Sequence, residues 1–423
     1  MRNTRVVSSP ARTSTSARTK PAGEVGGRRA FTIGLEEEFF LVGARTLAVP
    51  RRVDPAVFRR AEAVTRGRAK PEFLQAQIEI VSGVHDTLRG ARAEMAELRE
   101  AVADTADAHG LAVLAAGTHP GADWRRVRQT EAQRYDRVMD QLQMIGRRDL
   151  LCGLHVHVEL PDPARRVEIM RRMVPYLPLL LALSTSSPFW AGLPTGLKGY
   201  RLAAYAELPR TGLPPAFRSE AEYRTYVDAM ARAGAIPDAS YLWWAIRPSA
   251  SLPTLELRAP DCCTRLDDAI AVAALYRVLA RHLYRTRPAA DDMPAVTHAL
   301  AQENQWRAQR SGVQASFVTR DGPEPVAAVL ERLLRQAADD IDALDCAAEV
   351  AHCRTIVAEG TSADAQLAVY EQHVAGGHRA ALRAVLQWLR DETIATRADP
   401  EPRTIAGPPL LPSHDPEADR DSL

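Results

Sequence analysis

Four short segments of this 423-residue chain place metal- and anion-binding side chains two residues apart in apolar, strand-like sequence. In a β-strand, residues i and i+2 point to the same face. The segments are Phe31–Val42 with Glu36 and Glu38, Phe73–Val81 with Gln75, Gln77 and Glu79, Leu151–Leu160 with His155 and His157, and Leu252–Ala259 with Thr254, Glu256 and Arg258. Such side chains make a poor core but a suitable site for cations and phosphates, so the pattern predicts an enzyme.

The first segment contains three consecutive acids, Glu36, Glu37 and Glu38. A run of acids is most often a solvated face, but the apolar residues on both sides of this run require burial. Glu36 and Glu38 then share a face, where they repel each other unless a cation lies between them, and Glu37 points away. Hard oxygen ligands of this kind suit Mg²⁺ or Mn²⁺.

The other three segments each allow a structural as well as a functional interpretation. A buried Glu79 needs a partner, which is either a metal or an arginine. His155 and His157 can share one metal, or one can be a core histidine and the other a surface histidine. Glu256 and Arg258 are either an intrastrand ion pair or a metal ligand beside an arginine that faces phosphate oxygens.

Several common catalytic motifs are absent. No Gly-Lys-Ser/Thr string exists, so the chain has no Walker A loop, and arginine and metal ions must hold the phosphates of any bound ATP. No GxSxG and no cysteine in a nucleophile context are present, which disfavours acyl transfer through a Ser or Cys intermediate. The HExxH and HxE…PCxxC zinc patterns are also missing.

Composition indicates a soluble globular protein. The net charge of +1 indicates neither a nucleic-acid nor a membrane partner. Five irregularly spaced cysteines predict reduced thiols, and the longest apolar run, Val174–Leu183, is too short to span a bilayer, so we expect a cytoplasmic protein. Residues 1–29 and 396–423 are expected to be disordered tails around one catalytic domain over residues 30–395.

Within residues 30–395, strand-like and helical patterns alternate. Apolar residues recur at helical spacing after the Glu79 segment, and the chain becomes mostly helical after Asp261. The Gly- and Pro-rich sequence over residues 187–215 is a candidate active-site loop. The pattern predicts an α+β fold in which a sheet supplies the site and helices cover its other face.

Six motifs in order resemble the YbdK-type carboxylate–amine ligases, the type 2 glutamate–cysteine ligase family. They are GLEEEF, QAQIEIVSG, CGLHVHV, LALSTSSPFW, IRPSASLPTLELRAPD and ENQWRAQR, within residues 31–390. The resemblance implies a glutamine-synthetase-like catalytic domain, with a curved, mainly antiparallel sheet whose concave face binds ATP and two or three Mg²⁺ ions and whose convex face carries helices.

The resemblance also implies residue roles. The positions that match metal ligands are Glu36, Glu38, Glu79, His155 and Glu256. Arg258 matches the arginine at the transferred phosphoryl group, with Glu256 beside it, and Arg201 and Arg247 are candidates for holding a substrate carboxylate. His157, Asn304 and Arg307 are further candidates without an assigned step. Glu159, Lys198 and the Cys262-Cys263 pair depart from the family pattern, and Glu159 is interpreted as a rim residue.

The activity implied is ATP-dependent amide formation through an acyl phosphate, with glutamate and cysteine as the default, weakly used substrates. A metal-dependent amide hydrolase and a catalytically silent nucleotide-binding regulator are the alternatives. The expected partners are ATP and small-molecule substrates, and a homo-oligomer is compatible with the sequence.

Overall fold

A computed structural model describes residues 24–25, 28–287 and 293–395. The tail predicted over residues 396–423 lies outside the described residues, as does most of the tail predicted over residues 1–29. Within the latter, Glu24–Val25 and Arg28–Arg29 pair as short antiparallel strands.

Strands in the described part of the chain fall into one large sheet and three two-stranded ladders. The large sheet contains β3 (Ile33–Gly43), β4 (Ala69–Pro71), β5 (Gln77–Val81), β6 (Leu111–Leu114), β7 (Leu154–Glu159), β10 (Ile246–Pro248) and β11 (Thr254–Leu257). The ladders are β1 (Glu24–Val25) with β2 (Arg28–Arg29), β8 (Phe189–Trp190) with β9 (Leu193–Pro194), and β12 (Ser316–Thr319) with β13 (Gly322–Pro325).

The large sheet has the strand order β10-β11-β7-β3-β5-β4, and every pair in it is antiparallel. The long strand β3 forms its centre: residues 33–37 pair with β7, residues 36–40 pair with β5, and residues 40–43 pair with β6. The predicted segments around Glu79 and His155 therefore form β5 and β7, which pair with the two sides of β3. The fourth segment forms β11, which pairs with β7.

Helices make up most of the remaining described structure. They are α1 (Pro55–Val64), α2 (Leu88–Asp107), α3 (Gln133–Leu142), α4 (Met144–Arg147), α5 (Arg166–Met173), α6 (Leu177–Ala182), α7 (Tyr200–Tyr205), α8 (Glu220–Arg232), α9 (Leu266–Arg285), α10 (Pro294–Ser311), α11 (Val326–Gln336), α12 (Ala338–Ala343), α13 (Ala347–Glu359), α14 (Ser362–His373) and α15 (His378–Thr393). Short 3₁₀ turns occur at Trp124–Arg126, Pro163–Arg165, Val174–Tyr176, Ala239–Tyr241, Gly312–Gln314 and Val374–Gly376. No helix in the described ranges combines the length and the apolar character that a membrane crossing requires.

One face of the sheet is covered by helices. Leu35, Phe39 and Leu41 of β3 are fully buried, and α2, α9 and α15 pack against the sheet. Helix α2 begins where the Thr87 side chain accepts a hydrogen bond from the Gly90 N–H, which satisfies one free backbone donor. The alternation of β3 leaves its intervening side chains on the opposite face, so the α+β architecture with a one-sided helical cover is confirmed.

Two elements differ from the sequence-based expectation. Residues 73–76 form a turn rather than the start of a strand, because the Gln77 N–H donates to the Leu74 carbonyl. Gln75 therefore does not share a face with Gln77 and Glu79, and its side chain donates to the Gln129 carbonyl instead. The β12–β13 hairpin also interrupts the mostly helical region after Asp261.

Candidate functional site

The uncovered face of the sheet, which we call the cradle, carries the polar side chains of β3, β5, β7, β10 and β11. Strand register places Arg247 opposite Glu256, and Glu256 opposite His157. Glu36 lies opposite His155. A further pairing sets Glu38 opposite Glu79. Because directly opposite residues in a sheet share a face, one continuous row of ionisable groups crosses five strands.

Glu36 lies at the centre of the cradle between the two histidines. One carboxylate oxygen is 3.2 Å from His155 Nδ1, and the other is 3.2 Å from His157 Nε2. Burial alone would raise the pKa of Glu36, but the contacts with the two imidazoles outweigh it and hold the pKa well below its usual range. Burial lowers the pKa of His155, whereas Glu36 raises the pKa of His157 against the effect of burial.

Three carboxylates, of Glu38, Glu72 and Glu79, converge at one end of the cradle with oxygens that all lie within 4.8 Å of one another. Burial raises the pKa of Glu72 to about 8, and Glu38 adds to the increase. Burial likewise raises the pKa of Glu79 well above its usual range, with Glu36 as the next cause. Arg258 opposes both increases without cancelling them, so this end of the cradle carries clustered, poorly solvated carboxylates.

Arginines surround Glu256 at the opposite end of the cradle. Arg247 donates to both carboxylate oxygens, at 2.7 and 3.0 Å, and Arg258 donates to one of them at 2.5 Å. Burial opposes ionisation of Glu256, but Arg258 and Arg247 hold its pKa well below the usual range. Arg247 Nη1 also donates to two backbone carbonyls, so each of its guanidinium nitrogens has an acceptor.

Arg201 enters the same region from α7, in the loop region that the sequence indicated. Its Nη1 donates to the Pro260 carbonyl at 3.0 Å, and its backbone N–H donates to the Ser187 hydroxyl. That hydroxyl in turn donates to the buried Asp261 carboxylate at 2.6 Å. A Cβ atom at Gly153 would lie 2.2 Å from Arg201 Nη2, so only glycine leaves room for the guanidinium.

A cavity of about 350 Å³ opens over the cradle, a size within the usual range for small-molecule sites. Carboxylates and arginines line its floor, and α3 together with the segments before β5, after α7 and before β10 supplies an apolar wall. The wall residues are Phe73, Tyr135, Val138, Leu142, Leu208 and Trp243. The cavity therefore combines a charged floor for phosphates and cations with a wall for less polar groups.

The donor set fits divalent cations. Three groups of side chains offer ligand atoms within 4.8 Å of one another, and each contains at least one carboxylate. The groups are Glu36, His157 and Glu256; Glu36, Glu79 and His155; and Glu38, Glu72 and Glu79. The Nε2 atom of His155 is buried without a hydrogen-bond partner in the described part of the chain. Oxygen-rich sets with imidazole suit Mg²⁺ or Mn²⁺.

The structure brings most of the predicted site residues together. Those on or beside the cradle are Glu36, Glu38, Glu79, His155, His157, Arg201, Arg247, Glu256 and Arg258. Asn304 and Arg307 are placed elsewhere: the Asn304 amide bonds both backbone groups of Val318, and Arg307 donates to the Ser316 carbonyl. Both therefore brace the β12–β13 hairpin, because α10 packs beside that hairpin rather than over the sheet.

The departures from the family pattern have structural partners. Lys198 forms an ion pair with Asp364 at 2.5 Å, which ties its loop to α14. Glu159 accepts a hydrogen bond from the Thr32 hydroxyl at 2.7 Å at the end of β7. The Cys262-Cys263 pair is buried and without a disulfide.

Two cavity carboxylates are not predicted by the strand pattern of the sequence. Glu72 follows β4 in an irregular segment, and Asp149 lies between α4 and β7. Burial raises the pKa of Asp149 to about 7, with Glu38 as the next cause. Neither residue belongs to an alternating strand, so the two-residue period gave no signal for them.

Comparison with known proteins places the chain among ligases. The model of glutamate-cysteine ligase family 2 matches residues 32–384. A protein of Bradyrhizobium sp. (strain BTAi1) named "putative glutamate–cysteine ligase 2" is 52% identical over 89% of this chain and 90% of its own length. A protein of the same name from Rhodospirillum rubrum is 45% identical over 86% of this chain and 96% of its own length.

Two solved structures share the fold at low sequence identity. The bifunctional glutathione synthetase of Pasteurella multocida has a TM-score of 0.65 and 16% identity, covering 86% of this chain. The chain spans about half of that enzyme, 52% of its length. The glutamate–cysteine ligase of Francisella tularensis in complex with AMP has a TM-score of 0.60 and 12% identity, covering 88% of this chain and 94% of its own.

Proposed function

This chain belongs to glutamate–cysteine ligase family 2, and from that premise we propose that its cradle joins a carboxylate to an amine with ATP as the energy source. The proposed products are an amide, ADP and phosphate, with glutamate and cysteine as the default substrates. The observation that carries the proposal is the division of one cavity floor into an end with three clustered carboxylates and an end with three arginines.

The chemistry requires both ends. A substrate carboxylate oxygen bonds to the γ-phosphorus of ATP, the bond from that phosphorus to the bridging oxygen breaks, and ADP leaves. The amine nitrogen then attacks the acyl carbon, phosphate leaves, and the amine loses a proton. Because carboxylate and γ-phosphoryl group are both anionic, the first step needs concentrated positive charge and close alignment.

Metal binding is assigned to the carboxylates and imidazoles of the cradle. The proposed ligands are Glu36, Glu38, Glu79, His155 and Glu256, joined by Glu72 and His157. Bound Mg²⁺ or Mn²⁺ would neutralise phosphate oxygens and orient them. These carboxylates hold charge in place rather than act as acid and base.

The three arginines of the cradle have different proposed roles. The Nε atoms of Arg258 and Arg201 are buried without a hydrogen-bond partner in the described part of the chain, so both retain donors for a ligand. Arg258 is proposed to stabilise the transferred phosphoryl group, and Arg201 to hold a substrate carboxylate. The N–H groups of Arg247 donate to Glu256 and to two backbone carbonyls, so we propose that Arg247 positions Glu256.

An ATP-dependent phosphate-release screen tests the proposal. Amino acids and amines are supplied in pairs with Mg²⁺, and mass spectrometry identifies the amide. Phosphate release that needs both substrates, and that Glu38→Gln abolishes, is the expected result. Amide cleavage without ATP, favoured by Zn²⁺, would identify a hydrolase instead. Nucleotide binding without phosphate release for any pair would identify a silent regulator.

A further inference from the structure

A second cavity, of about 520 Å³, lies away from the cradle where the ends of α5 and α9 meet the first turn of α10. We call it the basic cavity. Its charged and titratable lining residues among those described are Arg171, Arg172, His282, Arg287 and His298. None of the described lining residues is an aspartate or a glutamate, so the charged side chains that the described part of the chain contributes to this cavity are basic and favour anions.

Two of these arginines have no counterion among the described residues. Arg171 and Arg287 form no ion pair or hydrogen bond with a described residue, and Arg171 Nε is buried without a partner. His282, by contrast, contacts the Asp340 carboxylate at 2.9 Å. The unpaired guanidinium groups are the part of the cavity that can bind an anion bidentately.

Arg172 is held rigidly at the back of the basic cavity. It donates to the Thr286 carbonyl at 3.0 Å and to the Thr286 hydroxyl at 3.1 Å. Its ion pair with Glu168 is long, at 3.5 Å, and Arg165 binds the same carboxylate at 2.9 Å. Burial lowers the pKa of Arg172, because its charge is desolvated and only weakly compensated.

Helix α10 adds a further positive element. The 18-residue helix begins at Pro294 with no side-chain N-cap hydrogen bond, and Thr297 and His298 of its first turn line the basic cavity. Free N–H groups at a helix N-terminus favour anions. The helix end, Arg171 and Arg172 of α5, and Arg287 two residues beyond the end of α9 therefore line one cavity.

We propose that the basic cavity is a second ligand site, which binds a small polyanion through carboxylate or phosphate oxygens. The proposal goes beyond the ligase activity and does not depend on it. Helix α5 connects this site with the cradle, because Arg166 donates to the Ser249 and Leu252 carbonyls in the β10–β11 turn.

Isothermal titration calorimetry on the full chain tests the site with two probes, inorganic phosphate and citrate. Divalent cations are withheld, so that neither anion can bind at the cradle through a metal ion. Wild-type protein is expected to bind at least one probe saturably, and the tighter probe separates a phosphate ligand from a polycarboxylate. The double variant Arg171→Ala/Arg287→Ala should bind about tenfold more weakly or worse.

Matched variants separate the site from general charge effects. Arg59→Ala/Arg60→Ala removes the same charge from the exposed surface of α1 and should leave affinity unchanged. Arg287→Gln, at an exposed position, supplies a milder variant if the double variant unfolds, and should weaken binding severalfold. Absence of saturable binding of either probe to wild type, or equal affinity in Arg287→Gln and wild type, would overturn the proposal.

Discussion

Glu37 and Glu38 are adjacent residues of β3, but their carboxylates meet opposite conditions on the two faces of the sheet. On the helix face, Arg99 of α2 donates to both oxygens of Glu37, at 2.8 and 2.6 Å, and both side chains are buried. On the cradle face, Glu38 lies beside Glu72 and Glu79 with no described arginine bound to the group. On the helix face the carboxylate charge is neutralised by an arginine of the protein. On the cradle face the clustered carboxylates remain available to a bound cation.

The largest effect on activity is expected from Arg258→Ala on the cradle face. Loss of this guanidinium should lower kcat for ADP release by about 10³-fold, because arginines at transferred phosphoryl groups contribute on this scale. Folding should change little, since Glu256 keeps its bidentate contact with Arg247. Steady-state kinetics with a parallel thermal melt measures both, and turnover similar to wild type would rule out the assigned role.

Arg99→Met should show the reverse pattern on the helix face. The change leaves Glu37 buried without a counterion, which should reduce the free energy of unfolding by about 3–5 kcal/mol. Chemical denaturation gives that value, and ATP turnover per folded molecule should stay close to wild type. The double variant Glu37→Gln/Arg99→Met should recover part of the loss; a stable single variant would show that the pair does not support the fold.

The stability of the cradle face should also depend on pH. The pKa of Glu72 is raised by burial and by Glu38 from 4.5 to about 8, so its stability contribution is complete below pH 4.5 and is lost as the pH rises through 8. The Tm of metal-free protein should therefore fall between about pH 5 and 8, and Mg²⁺ should raise the Tm more at pH 8 than at pH 6. Differential scanning calorimetry measures this dependence, and Glu72→Gln should make it less steep, while Glu79 and Asp149, whose pKa values are also raised, supply the remainder. An equal Mg²⁺ effect at both pH values would show that ionisation of Glu72 is not its cause.

The smallest effect is expected away from both faces, at Asn304→Ala. Its amide bonds only Val318 of the β12–β13 hairpin among the described residues. A modest loss of stability, about 1 kcal/mol, should accompany unchanged KM values for ATP and both substrates. A large rise in any of these KM values would mean that the hairpin reaches the cavity during turnover.

The cradle is predictable from the sequence because strands impose a two-residue period. That period assigns Glu36, Glu38, Glu79 and Glu256 to one face and Glu37 to the other, as the strand register shows. The same period does not reveal that His157 contacts Glu36 at 3.2 Å, because that distance depends on how the two strands pair.

Irregular segments are beyond the reach of the same pattern. Glu72 and Asp149 enter the cavity from loops whose course depends on tertiary packing, and the prediction for Gln75 was wrong because a turn replaces the first residues of its strand. Asn304 and Arg307 were linked to the site by motif resemblance alone, which carries no information on distance. Long-range contacts, rather than local pattern, decide such positions.

The close approach of Arg201 to Gly153 has an evolutionary consequence. Any side chain at position 153 would collide with the guanidinium, since even a Cβ atom would lie 2.2 Å from Nη2. A relative that replaces this glycine must therefore move the guanidinium or change the arginine, so we expect the two positions to vary together. A homologue with alanine at position 153 and a small residue at position 201 would mark a branch that holds its substrate in another way.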